Sequence, residues 1–126
     1  MEQLARRHLK STVRVLWIAV AITSTAVEAH PALLSSAPDQ GATLESAPKE
    51  MKLLFSEPIE AAFTTVKLTD PSGKDGPVIK AQAEKADAKA ASFTLPVLQS
   101  GVYRAYWSAL GRDGHRMKGV VSFSVR

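Results

Sequence analysis

Three side chains have the types and spacing to hold a metal ion: His30, followed by Pro31, and the pair in Asp113-Gly114-His115. His30 matters because of where the chain is expected to be cut. The sequence predicts export cleavage after Ala29, which makes His30 the first residue of the mature protein. An N-terminal histidine offers a free α-amine beside its imidazole, and those two nitrogens close one chelate ring on a metal. Pro31 has no amide N–H, so a bound Cu(II) ion is blocked from capturing the next backbone nitrogen. The remaining equatorial positions are left to groups from elsewhere in the fold. Asp113 and His115 supply them, because residues i and i+2 of an extended backbone point to the same side. An amine, two imidazoles and a carboxylate suit square-planar Cu(II) or Ni(II). Alone, Asp-Gly-His is an ordinary turn with a polar surface histidine; the His30-Pro31 start is what gives it metal character.

The cleavage expectation rests on three parts. Arg6, Arg7, His8, Lys10 and Arg14 form a basic start, Val15–Ile22 is a short apolar run, and Val27-Glu28-Ala29 is a small-residue exit. These are the parts of a secretory signal. A bilayer span needs about 20 apolar residues, and this run is much shorter. The alternative is an uncleaved N-terminal anchor. Cleavage divides the chain into a signal, residues 1–29, and one exported domain, residues 30–126, with no membrane insertion afterwards.

Composition narrows the rest. The 126 residues carry 16 Lys and Arg against 12 Asp and Glu, with a pI near 9.6. Removing the signal leaves 12 basic and 10 acidic residues. The basic ones are scattered, without the aromatic interleaving of a nucleic-acid surface, so nucleic acid is excluded as a partner. There is no cysteine. Disulfide frameworks, zinc knuckles, iron–sulfur sites and thiol nucleophiles are excluded with it.

The elements that must position the three residues read as strands. Met51, Leu53 and Phe55 alternate with Lys52, Leu54 and Ser56; in the strand read from Phe63 to Thr69, Val66 and Leu68 face away from Lys67. Tyr103, Ala105, Trp107 and Ala109 alternate with Val102, Arg104, Tyr106 and Ser108. Val121, Phe123 and Val125 interleave with Ser122, Ser124 and Arg126. Such period-two patterns mark half-buried strands. Weaker candidates are Leu33–Ser35, Val78–Gln82 and Ser92–Leu95. Turn residues punctuate them at 37–41, 47–48, 70–73, 75–77 and 99–101. Ala81–Ala91 reads as a solvated connection, and Trp107 and Met51 read as core. About seven strands at this spacing predict an all-β, two-sheet sandwich.

Several motifs recur in a familiar order: His30-Pro31-Ala32-Leu33, Ser36-Ala37-Pro38-Asp39-Gln40-Gly41-Ala42, Leu54-Phe55-Ser56-Glu57-Pro58 and Leu95-Pro96. Ser100-Gly101-Val102-Tyr103-Arg104-Ala105-Tyr106-Trp107, Asp113-Gly114-His115 and Gly119-Val120-Val121-Ser122-Phe123-Ser124-Val125 complete the set. Together, from His30 to Arg126, they resemble the CopC-type periplasmic copper-binding proteins. The resemblance implies a Greek-key β-sandwich, cupredoxin-like or immunoglobulin-like. It implies one Cu(II) per chain, held by the amine and imidazole of His30, with His115 equatorial and Asp113 completing the site. Glu57 matches a position near the metal, as an outer or alternative carboxylate; a surface acid before Pro58 is the other reading. Some members carry a second, Cu(I) site made of clustered methionines and a histidine. Here Thr69–Ala81, the matching region, has neither, so no Cu(I) methionine site is expected.

The implied role is a monomeric copper carrier or buffer in copper homeostasis and resistance, not an enzyme. The implied partner is a CopD-like inner-membrane protein. Two other classes remain at this point. One is a copper redox enzyme with a histidine-brace-like site, against which the small domain and the extra carboxylate weigh. The other is an exported interaction module without metal.

Overall fold

The structure, a computed structural model, describes residues 32–126. The expected signal, His30 and Pro31 lie outside the described residues. Nine strands follow in order: β1 (Leu33–Ala37), β2 (Ala42–Leu44), β3 (Glu50–Phe55), β4 (Thr65–Thr69), β5 (Asp75–Lys80), β6 (Gln82–Ala83), β7 (Ala90–Thr94), β8 (Gly101–Leu110) and β9 (Arg116–Val125). They form two facing sheets, ordered β1-β3-β7-β6 and β2-β9-β8-β4-β5. The expected all-β sandwich is what the chain builds.

Alternation decides which side of each strand faces inward. Met51, Leu53 and Phe55 of β3 meet Val66 and Leu68 of β4, Tyr103, Ala105, Trp107 and Ala109 of β8, and Val121, Phe123 and Val125 of β9. Each large side chain removed from water contributes roughly 1.5–3 kcal/mol. Tyr103 stacks on Phe123 with ring centroids 5.7 Å apart, and Phe55 meets Trp107 edge-on at 5.4 Å. Trp107 and Met51 are both core, as their patterns predict.

Four sequence expectations change. The described residues form nine strands rather than about seven, because β2 and β6 are too short for alternation to show. Asp75-Gly76-Pro77, read as a turn, begins β5 instead. Proline is tolerated there because β5 is the outermost strand of its sheet, where a missing N–H breaks no essential ladder. The connection Ala81–Ala91 contains β6, which pairs Gln82 with Ser92 and Ala83 with Ala91. Phe63, expected in a strand, sits in a 3-10 turn at Ala61–Phe63 with its ring exposed.

The β8–β9 hairpin carries the longest ladder, ten facing pairs from Gly101 with Val125 to Leu110 with Arg116. Within it Trp107 lies opposite Gly119. A Cβ at Gly119 would come closer than 3.0 Å to three atoms of the Trp107 ring. The indole therefore occupies the space that a side chain at 119 would need. Gly119→Ala is expected to lower stability by about 1–3 kcal/mol, the usual cost of overpacking a filled core. The check is the urea midpoint, with Trp107 fluorescence reporting the displaced ring.

At the other edge, Lys67 and Thr69 of β4 donate to the two oxygens of Asp75 on β5, at 2.7 and 2.9 Å. These bonds, Lys67 first, hold the Asp75 carboxyl below its ordinary value of 3.8. A lowered folded pKa gives stability that is present above the unfolded value and lost as pH falls through the folded one. Asp75→Asn should therefore be less stable than the parent at neutral pH. The gap should close as pH drops below 3.8, in thermal melts run as a pH series.

Candidate metal centre

Asp113 and His115 sit in the turn that closes the long hairpin. Gly111 N–H donates to the His115 carbonyl at 2.8 Å, and Gly114 N–H donates to the Gly111 carbonyl at 3.0 Å. Gly114 takes φ +88°, a left-handed conformation that a side chain disfavours. That reversal lets Asp113 fold over the turn. One carboxylate oxygen accepts the His115 backbone N–H at 3.0 Å, and the other lies 3.1 Å from His115 Nδ1. The i, i+2 convergence expected from sequence is present, made by a turn rather than by an extended strand. Both side chains are exposed enough to reach an ion from solvent.

The turn is held by its surroundings. Arg116, the next residue, donates to the Phe63 carbonyl at 3.1 Å and to Ser108 Oγ at 2.8 Å. A strap runs from the end of β3 to the hairpin tip: Glu60 N–H donates to the Leu110 carbonyl at 2.8 Å, and Arg112 N–H to the Pro58 carbonyl at 3.2 Å. Ile59 pairs with Gly111 as an isolated bridge and is buried. The same strap grips the first described residue. Ser56 N–H donates to the Ala32 carbonyl, and Ala32 N–H donates to Ser56 Oγ, both at 2.8 Å. The start of the domain and the Asp113–His115 turn are thereby brought to one end of the sandwich.

Glu57 lies in the middle of that strap, half-buried. It is not gathered with Asp113 and His115: among the described residues, no three His, Cys, Asp or Glu side chains group closely enough to hold a metal. In the same Phe-Ser-Glu-Pro motif, Ser56 makes the bonds to Ala32. The two methionines among the described residues serve the core: Met51 is fully buried, and Met117 packs against the core from β9.

A carboxylate touching a histidine nitrogen is a common way to fix a ring for metal binding, since it orients the ring and raises its basicity. Here such a pair sits at the tip of the longest hairpin of a two-sheet β-sandwich. Comparison with known proteins shows the family. The family model described as the CopC domain matches residues 33–126. Copper resistance protein C of Xanthomonas campestris pv. juglandis is 34% identical over 97% of this chain and 98% of its own length. Copper transport protein CutJ of Bacillus subtilis is 33% identical over 77% of this chain, which spans only 18% of CutJ.

Solved structures agree. The crystal structure of CopC from Methylosinus trichosporium OB3b superposes with a TM-score of 0.72 at 26% identity, over 76% of this chain and 93% of that one. PcoC, described as a methionine-rich copper resistance protein from Escherichia coli, gives 0.63 at 32% identity, over 78% and 100%. The chain belongs to the CopC family and is a copper-related protein.

Gly114 has open space where a Cβ would sit. Gly114→Ala should therefore cost only the left-handed conformation, about 1–2 kcal/mol. Beyond that loss in urea melts, it should weaken the Asp113–His115 contact, seen as a changed His115 ring shift in NMR spectra.

Proposed function

We propose that this chain is a periplasmic Cu(II) carrier, one ion per chain, exported by cleavage after Ala29. His30 binds through its amine and imidazole, His115 supplies the second imidazole, and Asp113 completes the set. The observation that carries this reading is the placement of the Asp113–His115 pair beside the strap that grips Ala32. Two residues of chain reach about 7 Å. An amine at position 30 therefore starts within a short reach of Ala32, at the end of the sandwich where the turn lies.

Oxygen and nitrogen donors favour Cu(II), whereas Cu(I) selects thioethers. Both described methionines are packed into or against the core, which supports a Cu(II)-only protein. The protein acts as a monomer that carries copper rather than transforming a substrate. It passes the ion to a CopD-like inner-membrane partner in copper homeostasis or resistance. The naming of family relatives for copper resistance and copper transport supports that direction.

Mass spectrometry of exported protein should find a chain beginning at His30; any other start removes the amine donor and overturns the site. His30→Ala and His115→Ala should each weaken Cu(II) binding by orders of magnitude, and Asp113→Ala less strongly. One residue added before His30 should be nearly as damaging as losing its side chain. Electron paramagnetic resonance of the loaded protein should report three nitrogens in a tetragonal site. Titration with Cu(I) should find no tight stoichiometric binding.

A further inference from the structure

The outward face of the five-stranded sheet has a character that the copper site does not use. Register places Val78, Lys67, Tyr106 and Val120 side by side in one row across β5, β4, β8 and β9. Tyr106 and Val120 are each 45% exposed and Val78 is 62% exposed. The charged groups carried by the strands of this face are Lys67, Lys80, Arg104, Arg116 and Lys118 against one acid, Asp75; Asp39 beside Val120 and Asp70 beside Arg104 border it. The net charge of the face is +4, although all described residues together reach only +2. The remainder, with seven basic and nine acidic residues, is net negative. Folding gathers five of the twelve basic residues, scattered along the chain, on one side.

We infer that this face docks an acidic protein surface, with Tyr106 and Val120 as the apolar centre and Arg104, Lys118 and Lys67 as the charged surround. The charge arrangement is complementary to such a partner and steers its approach. Tyrosine and arginine are enriched at protein interfaces. Four strands about 4.8 Å apart and nine residues of β8 give a flat area of roughly 500 Å², the scale of a transient encounter. An anionic membrane fits less well. Lipid insertion needs apolar groups that sink about 5–10 Å past the charged layer, and half-exposed side chains on a flat sheet do not project so far.

The test is an NMR titration of the metal-free 15N-labelled exported protein with a capped peptide in which Glu and Asp alternate with Leu and Tyr. Expected are amide shifts at Lys67, Arg104, Tyr106, Lys118 and Val120. Binding should weaken at least about fivefold between 0.01 and 0.15 M salt, where the screening length falls from about 30 to 8 Å. Arg104→Glu with Lys118→Glu should abolish binding, and Tyr106→Ser should reduce it severalfold, both with a dispersed spectrum showing an intact fold. Absent shifts, shifts elsewhere, or no effect of Tyr106→Ser would overturn the inference. So would binding to phosphatidylglycerol vesicles through these residues without binding to the peptide. Because the titration uses metal-free protein, its result is separate from that of the copper site.

Discussion

The ten-pair ladder between β8 and β9 is the interaction on which the rest of this protein depends. Its backbone hydrogen bonds fix a register, and the register fixes everything the two strands present. Inward go Tyr103, Ala105, Trp107 and Ala109, with Val121, Phe123 and Val125 opposite. Outward go Arg104, Tyr106, Lys118 and Val120. At the closed end the same ladder holds the five residues from Gly111 to His115 in a tight turn. A slip of one residue would put Trp107 against a residue with a side chain and turn the apolar set to water. Gly119 is the position where that register is enforced, because the indole fills the space above it.

The Asp113–His115 turn sits at the tip of a hairpin, with both side chains exposed. Asp113 bonds the backbone N–H and Nδ1 of His115. Their placement comes from two neighbours. Arg116 ties the start of β9 to Phe63 and Ser108. The strap from Ser56 to Glu60 bonds to Ala32 at one end and to Leu110 and Arg112 at the other. The pair thus sits on a hydrogen-bonded scaffold while both side chains remain exposed to solvent.

The fold was largely legible because half-buried strands repeat every two residues. Met51 to Phe55, Tyr103 to Ala109 and Val121 to Val125 declare their inner faces by type alone. β2 and β6 did not, since three and two residues are too few for a period to emerge. Pro77 misled because proline marks a turn in most settings, and its tolerance in β5 depends on that strand having no outer neighbour among the described residues. The contact between Asp113 and His115 was legible from their spacing. The part played by Ser56 was not, because its bonds to Ala32 span 24 positions of sequence.

The sequence by itself determined the chemistry available: no thiolate, few thioethers, and a histidine–carboxylate pair two residues apart. It also determined the strand alternation, which is local and follows from the pleat. Only the tertiary structure decided which segments share an end and which side chains share a face. Its strap joins Ala32 to the Asp113–His115 turn, and its strand order gathers five of the basic residues on one sheet face. Both depend on pairing between distant segments. The energy of that pairing comes from burying the two inner faces against each other, which no local pattern records.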